Sequence, residues 1–346
     1  MTRHADPTQP ARLPLLGLML GDYTGIGAEQ CARILADGRL KDVARLLVVC
    51  DARVLAQGAR DAGVALRWQD YAGPEQVDWS RPEVPVLDLK NLDPASIERG
   101  RVSPESGRIA GQTLAAMIGL ALAGRLDGIT FAPLNKGALH AGGWRFNDEH
   151  QMFAHLTKQT GYFSEMNVLD DLWLSRVTSH VALKTALEQI TPQRIDQAIT
   201  LADRTMRGAG IGEPRIAVAA LNPHGGENGL FGREEIDIIA PAVARAAERG
   251  IRCHGPFPAD TVFLKAFAGE YDGVVSMYHD QGQIATKLKG FNRGVTVTAG
   301  LKTIFTTPSH GTAFDIVGKG CASTGALEQA IRLAARLAGA RQHALA

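Results

Sequence analysis

The chain has 346 residues, 45% hydrophobic and 21% charged, with a formal net charge of +1. That length exceeds one comfortable core, so two domains of roughly 150 residues each are expected. The near-neutral charge argues against a nucleic-acid partner, and no apolar run approaches the roughly 20 residues that a bilayer crossing needs.

Met1 to Arg12 is polar and proline-containing, the composition of a loose tail rather than of a secretory signal. Leu15–Leu20 is an apolar run ending in Gly21-Asp22-Tyr23-Thr24-Gly25-Ile26-Gly27, and Ala28–Leu35 reads as the helix behind it. Leu46–Cys50 reads as a strand and Ala52–Ala62 as a helix. A long helix is expected from Ser103 to about Gly124: Ser103 can cap it, Pro104 suits its first position, and Ile109, Thr113, Met117 and Leu120 share one face. Strand Ile129–Ala132 stops at Pro133, so Pro133-Leu134-Asn135-Lys136 sits just past a strand's carboxyl end, where open α/β sheets place ligands.

The alternation continues with strand Trp173–Thr178, helix Thr191–Met206, strand Ile216–Leu221, helix Ile236–Arg249, strand Gly273–Met277 and an Ala/Leu-rich helix Thr324–Ala340. It predicts an α/β fold with a largely parallel sheet covered by helices. The four cysteines, Cys31, Cys50, Cys253 and Cys321, form no CxxC pair, so reduced thiols and a cytoplasmic location are expected.

Three histidines stand out by position. His180, His224 and His279 each follow the end of an apolar strand. In a parallel sheet those ends share one edge, so three imidazoles can converge on Zn²⁺ or another borderline divalent ion and leave a coordination position open. Such an ion polarises a hydroxyl and the carbonyl that replaces it. Any one of them read alone is as readily a hydrogen-bonded structural residue. His4 and His343 lie toward the chain ends and are expected in solvent.

The glycine-rich Gly21–Gly27 turn could present backbone amides to an anion, or be an ordinary strand-to-helix turn, since its spacing is not GxGxxG. Lys136 and Lys287 could bind a carboxylate or act as acid/base groups, or simply be solvated. Asp260 and Asp280 could orient the histidines or a lysine, or serve as turn and cap residues.

Together these segments resemble the 4-hydroxythreonine-4-phosphate dehydrogenase (PdxA) family. The resemblance rests on GDYTGIGAE (21–29), APLNKGAL (132–139), TSHVALK (178–184), NPHGGENGLFGREE (222–235), GPFPADTVF (255–263), YHDQG (278–282) and HGTAFDIVGKGCA (310–322). It implies an isocitrate/isopropylmalate dehydrogenase-like fold of two α/β domains with a central cleft. The first domain would take residues 14–139 and 307–346 and the second 140–306. It also implies a homodimer whose metal site draws histidines from both subunits.

By motif matching, His180, His224 and His279 fall on the metal ligands, Lys287 on the substrate-contacting lysine, and Asp260 and Asp280 on acidic residues near the metal. Lys287, Asp260 and Asp280 are therefore the catalytic candidates. Gly21, Asp22, Gly25, His310, Gly311, Thr312 and Asp315 are the candidates for holding NAD, with NADP the alternative. The metal implied is zinc, with Mg, Mn, Co or Ni as alternatives. The implied chemistry is hydride transfer from a secondary alcohol to the nicotinamide, followed by loss of CO₂ from the keto acid.

Two departures bear on the substrate. Where phosphate-handling members of the family carry GHTE, this chain has Asp148-Glu149-His150-Gln151. A carboxylate facing a phosphate in a low-dielectric cleft costs several kcal/mol. Where those members carry an Asn and an Arg, this chain has Thr296 and Phe305, which removes an arginine fork. With Glu149, His150, Lys287, Thr296 and Phe305 as substrate candidates, the expected substrate is a non-phosphorylated hydroxy acid such as a cis-dihydrodiol carboxylate. The alternative is 4-phosphohydroxy-L-threonine or a phosphorylated four-carbon acid, held by Lys287 and Lys302. Outside the class stand a metal-dependent lyase or hydrolase and a catalytically inert binding protein.

Overall fold

The computed structural model describes residues 12–290 and 293–345. His4, Phe291, Asn292 and the side chain of His343 lie outside that description, and so does the expected tail. The chain divides into two compact units, one taking in the chain up to Thr160 and again from Leu301, the other Gly161–Gly300.

The first unit opens with β1 (Leu15–Met19), α1 (Gly27–Asp37), β2 (Arg45–Cys50), α2 (Ala52–Ala62), β3 (Trp68–Asp70) and β4 (Val84–Asp88). It continues with α3 (Pro104–Leu122), β5 (Gly128–Phe131), α4 (Lys136–Ala141) and α5 (Glu149–Leu156). Ser103 caps α3 as its sequence requires, its hydroxyl accepting from the Ser106 N–H at 3.2 Å.

The second unit holds β6 (Ser164–Leu169), β7 (Leu172–Arg176), α6 (Leu183–Gln189), α7 (Pro192–Gly208), β8 (Ile216–Ala219) and α8 (Ala240–Glu248). It ends with β9 (Cys253–Phe257), α9 (Ala259–Phe267), β10 (Gly273–Ser276), α10 (His279–Gly290) and β11 (Val295–Ala299). Back in the first unit come β12 (Phe305–Pro308) and α11 (Gly325–Leu345).

In the first unit the strands run β3-β4-β2-β1-β5-β12, and every pairing is parallel. Buried on both faces, β1, β2 and β5 read as unbroken apolar runs, which is why they were legible. The second unit runs β11-β6-β7-β10-β8-β9. Here β7, β10, β8 and β9 are parallel, but β6 pairs antiparallel with both β7 and β11. The expectation of a largely parallel sheet misses this β6–β7 hairpin. Its turn is only Asp170-Asp171, with Asp170 left-handed (φ 54°), and polar Glu165 and Asn167 interrupt its apolar signal.

The seams expected after residues 139 and 306 differ from those observed at 160 and 300. Residues 140–160 stay with the first unit because their large side chains do. Trp144 Nε1 donates to the Arg108 carbonyl of α3 at 3.0 Å, and Phe153 meets Phe131 edge-on at 5.6 Å. Residues 301–306 do so because β12 pairs with β5.

Candidate active site

In the second unit β7, β10 and β8 lie side by side and parallel, so their carboxyl ends share an edge. The loops beyond them carry His180, His279 and His224. Thr178 ties two of these loops, its N–H and its hydroxyl both donating to the Met277 carbonyl, at 3.2 and 3.0 Å. Gln281 ties the third: its side-chain oxygen accepts from the Met277 N–H at 2.7 Å and its amide donates to the Ala220 carbonyl at 2.8 Å.

His180 and His279 come together, their ring centroids 5.6 Å apart. His279 Nδ1 lies 2.7 Å from Asp280 Oδ1, which leaves Nε2 outward-facing. Burial pushes the His279 imidazole below its ordinary pKa; the Asp280 contact opposes this and the Arg176 charge adds to it. The shift favours the neutral ring, the form that binds metal. His180 Nε2 stands 3.7 Å from Glu165 Oε2.

His224 occupies a different setting. Residues 224–228 are all left-handed, with His224 at φ 54°. Glu235 holds this turn: its carboxylate accepts from the Leu221 N–H at 2.8 Å, the Asn222 N–H at 2.7 Å and the Asn222 side chain at 2.9 Å. Burial would raise that carboxyl, but these donors outweigh it and hold the pKa below the usual value. Gly226 is left-handed (φ 78°), and a Cβ there would also meet Glu235 Oε2 at 2.6 Å, so the position favours glycine. Among the described residues no three His, Cys, Asp or Glu side chains of the one chain are arranged to hold a metal ion. The expected three-imidazole centre is thus present as a pair plus a separate exposed histidine.

The remaining candidates of this unit are distributed as follows. Asp260 is exposed in the first turn of α9; two residues earlier, Pro258 lies against the His224 turn, 3.9 Å from where a Cβ on Gly225 would be. Lys287 is exposed on α10. Thr296 is buried on β11, and its hydroxyl accepts from Asn167 Nδ2 at 3.0 Å. On β11 it belongs to the strand's hydrogen-bonded polar face.

The first unit gathers the cofactor candidates. Gly21 is left-handed (φ 75°), and a Cβ there would strike the Ala132 and Pro133 carbonyls at 2.5 Å. The Ile26 N–H donates to the Thr312 carbonyl at 3.2 Å, and Gly25 approaches Thr312 so closely that a Cβ would lie 2.9 Å from it. Gln30 Nε2 lies 3.4 Å from His310 Nε2. The glycine turn and the 310–313 segment are therefore one surface, with Gly311 and Asp315 exposed nearby.

Asp22 is buried, and one carboxylate oxygen accepts from the Thr24 N–H at 2.9 Å, the Thr24 hydroxyl at 2.7 Å and the Ser106 hydroxyl at 2.8 Å. It braces the turn from inside.

The substrate candidates of this unit also shift. Lys136 Nζ lies 3.4 Å from Glu149 Oε2, so the carboxylate expected to repel a phosphate carries its own counter-charge. His150 is buried beside it. Phe305 is 1% exposed and stacks on Phe153, with centroids 4.2 Å apart and planes 6° from parallel. It is a core residue, and the apolar pocket wall expected of it is not there. Lys302 Nζ donates to the Lys158 carbonyl at 3.4 Å.

Residues 42–334 match the family described as pyridoxal phosphate biosynthetic protein PdxA. The chain belongs to the PdxA family. The D-threonate 4-phosphate dehydrogenase of Cupriavidus necator is 41% identical over 330 residues, 95% of this chain and 98% of that protein. The 4-hydroxythreonine-4-phosphate dehydrogenase structure from Klebsiella pneumoniae is 39% identical with a TM-score of 0.81, over 94% of this chain and 99% of that one. A terephthalate 1,2-cis-dihydrodiol dehydrogenase from Burkholderia xenovorans is 26% identical with a TM-score of 0.65, over 94% and 98%. This PdxA family member is an oxidoreductase acting on a CH–OH group. No helix among its described residues is long and apolar enough to cross a membrane.

Sequence reasoning overlooked Glu165, Arg176 and Gln281. Arg176 left a signal, a guanidinium closing an otherwise apolar strand. Gln281 stood inside the YHDQG motif without a role.

Proposed function

We propose that this chain is an NAD-linked, divalent-metal-dependent dehydrogenase of a phosphorylated four-carbon hydroxy acid, of the D-threonate 4-phosphate or 4-phosphohydroxy-L-threonine type. The observation that carries this reading is the placement of Phe305. An aromatic, non-phosphorylated substrate needed that ring on a pocket wall, and it is stacked inside the core. The Lys136–Glu149 pair removes the second argument against a phosphate. The relatives named for phosphorylated four-carbon acids are also far more similar to this chain than the dihydrodiol enzyme is.

The donor set suits a borderline divalent ion: two adjacent imidazoles, one of them shifted toward its neutral form by burial. His180 and His279 would hold it, with His224 of a second copy completing the set. The exposed apolar side chains of the second unit, among them Leu183, Leu187, Leu264, Ile284 and Leu288, support such a homodimer. When bound, the ion would polarise the substrate hydroxyl and the carbonyl formed from it.

Asp280 orients the His279 ring. Asp260 or Lys287 would take the hydroxyl proton; a bound nicotinamide, which the Gly21–Gly27 turn and residues 310–313 would hold, would supply the hydride acceptor. The resulting 3-keto acid loses CO₂ when its C–C bond breaks toward the carbonyl, and Lys287 returns a proton to the carbon.

The test is NAD reduction measured with D-threonate 4-phosphate, 4-phosphohydroxy-L-threonine, their dephosphorylated forms and a cis-dihydrodiol carboxylate, each with and without chelator. Turnover confined to the phosphorylated acids and abolished by chelator is expected. Turnover of the dihydrodiol alone would overturn the substrate reading, and reaction without NAD reduction would overturn the redox reading.

A further inference from the structure

Beneath the His180–His279 pair the second unit carries a polar row across three strands. The β6–β7 register pairs Asn167 with Leu174, and continuing it sets Glu165 across from Arg176. On the other side β11 places Thr298 opposite Glu165 and Thr296 opposite Asn167. These residues alternate along their strands and so share one face. They are deeply buried: Arg176 is 3% exposed, Asn167 3% and Thr298 4%.

The guanidinium is fully engaged there. Arg176 donates to Glu165 Oε1 at 3.2 Å and to the side-chain oxygen of Asn167. Asn167 Nδ2 also donates to Glu165 Oε1, at 3.1 Å. From α10, Gln283 joins the network, its side-chain amide donating to the Asn167 side-chain oxygen at 2.9 Å.

A buried Arg–Glu pair adds little stability over apolar residues of the same volume. A β-sheet interior has no packing need for one. What distinguishes this pair is its outward end: one Glu165 oxygen is held by Arg176 and Asn167, while the other stands 3.7 Å from His180 Nε2.

We infer that Glu165 is a positioning residue for His180, itself fixed from below by buried Arg176. A carboxylate behind a ligating imidazole fixes the ring's tautomer and orientation and raises its donor strength; loss of such a partner costs about 10–100-fold in metal affinity. Glu165 thereby couples the rigid sheet to the imidazole pair. The inference rests on the proposed metal role of His180 and His279.

The test uses the purified full-length protein. Zn²⁺ and Mn²⁺ affinities are measured by chelator competition for the wild type, His180→Ala, Glu165→Gln, Glu165→Asp and the double variant His180→Ala/Glu165→Gln. Glu165→Gln is expected to weaken binding about tenfold or more. Glu165→Asp should recover part of that loss, and the double variant should bind no worse than His180→Ala alone. Glu165→Gln binding within twofold of the wild type, while His180→Ala is impaired, would overturn the inference. An unimpaired His180→Ala would instead overturn the metal reading beneath it.

A measurement without substitution guards against misfolding of the variants. Long-range ¹H–¹⁵N spectra of ¹⁵N-histidine-labelled protein should show the His180 ring proton on Nε2, facing Glu165. A proton on Nδ1 would refute the assignment.

Discussion

Phe305 decides between two substrate classes, and its role is measurable. The ring is 1% exposed and stacks on Phe153 at 4.2 Å. Truncating a buried phenylalanine to alanine costs about 3–5 kcal/mol, because the apolar transfer energy and the dispersion contacts around the void are both lost. The stacked geometry accounts for about 0.5–1.5 kcal/mol of that. Phe305→Leu keeps most of the volume and should cost no more than about 1.5 kcal/mol. With a urea slope of about 3 kcal/mol per molar, the upper end of the usual range and suited to a unit of this size, Phe305→Ala should move the midpoint of the first unit's unfolding down by about 1–2 M, and Phe305→Leu by about 0.5 M or less. Trp144 fluorescence reports that unit's unfolding, and KM for the phosphorylated acid, read on Phe305→Leu, should stay within about twofold. An unmoved midpoint in Phe305→Ala, together with a changed substrate preference, would place the ring in the pocket and refute the reasoning.

Gly21→Ala combines a left-handed backbone with a 2.5 Å clash against two carbonyls, so a loss of at least about 2 kcal/mol in thermal or urea unfolding is expected, with weakened NAD binding by fluorescence titration. Lys136→Ala strips Glu149 of its counter-charge and should raise KM for the phosphorylated acid about tenfold, roughly 1.4 kcal/mol, with Glu149→Gln restoring it; an unchanged KM would remove the pair from the ligand's surroundings. The Arg215 guanidinium, and its N–H behind it, hold Asp272 below the usual carboxylate pKa. A depressed folded-state pKa gives stability that is complete above the unfolded carboxylate value and is lost as pH falls through the folded one, so Asp272→Asn should flatten the acid limb of a stability–pH curve. His224→Gly should unfold at about 1 kcal/mol higher stability than His224→Ala, since only glycine adopts φ 54° without cost; equal stabilities would mean the turn relaxes.

Most of the architecture was readable because burial on two faces writes itself as unbroken apolar runs. β1, β2, β5, β8 and β10 all lie within a residue or two of where their runs put them, and Ser103-Pro104 marked the start of α3. The β6–β7 hairpin was not readable. Glu165, Asn167 and Arg176 break its pattern because they spend that face of the sheet on a polar network. Phe305 was misread for a related reason: a motif position reports which residue type stands there, not whether its side chain turns inward. Asp22 makes a related point: an acidic residue in a glycine-rich turn can brace it from inside, and the Thr24 and Ser106 hydroxyls show that this one does.

The histidines show how position and backbone together mark a site. His180 and His224 sit at φ 52° and 54°, a region that non-glycine residues occupy at a cost of order 1–3 kcal/mol. Glycine would remove that cost at either place, yet both positions carry imidazole. Each strained residue has a carboxylate close by: half-buried Glu165 lies behind the His180 ring, and buried Glu235 holds the Asn222 backbone two residues before His224. Each carboxylate is in turn satisfied by donors from the strand it belongs to or the loop it faces. A surface turn that only connects elements has no need of such strain beside a bonded carboxylate. It is coherent if two rings must be presented at fixed positions and angles, one to an ion held by its own chain and the other outward to a second copy.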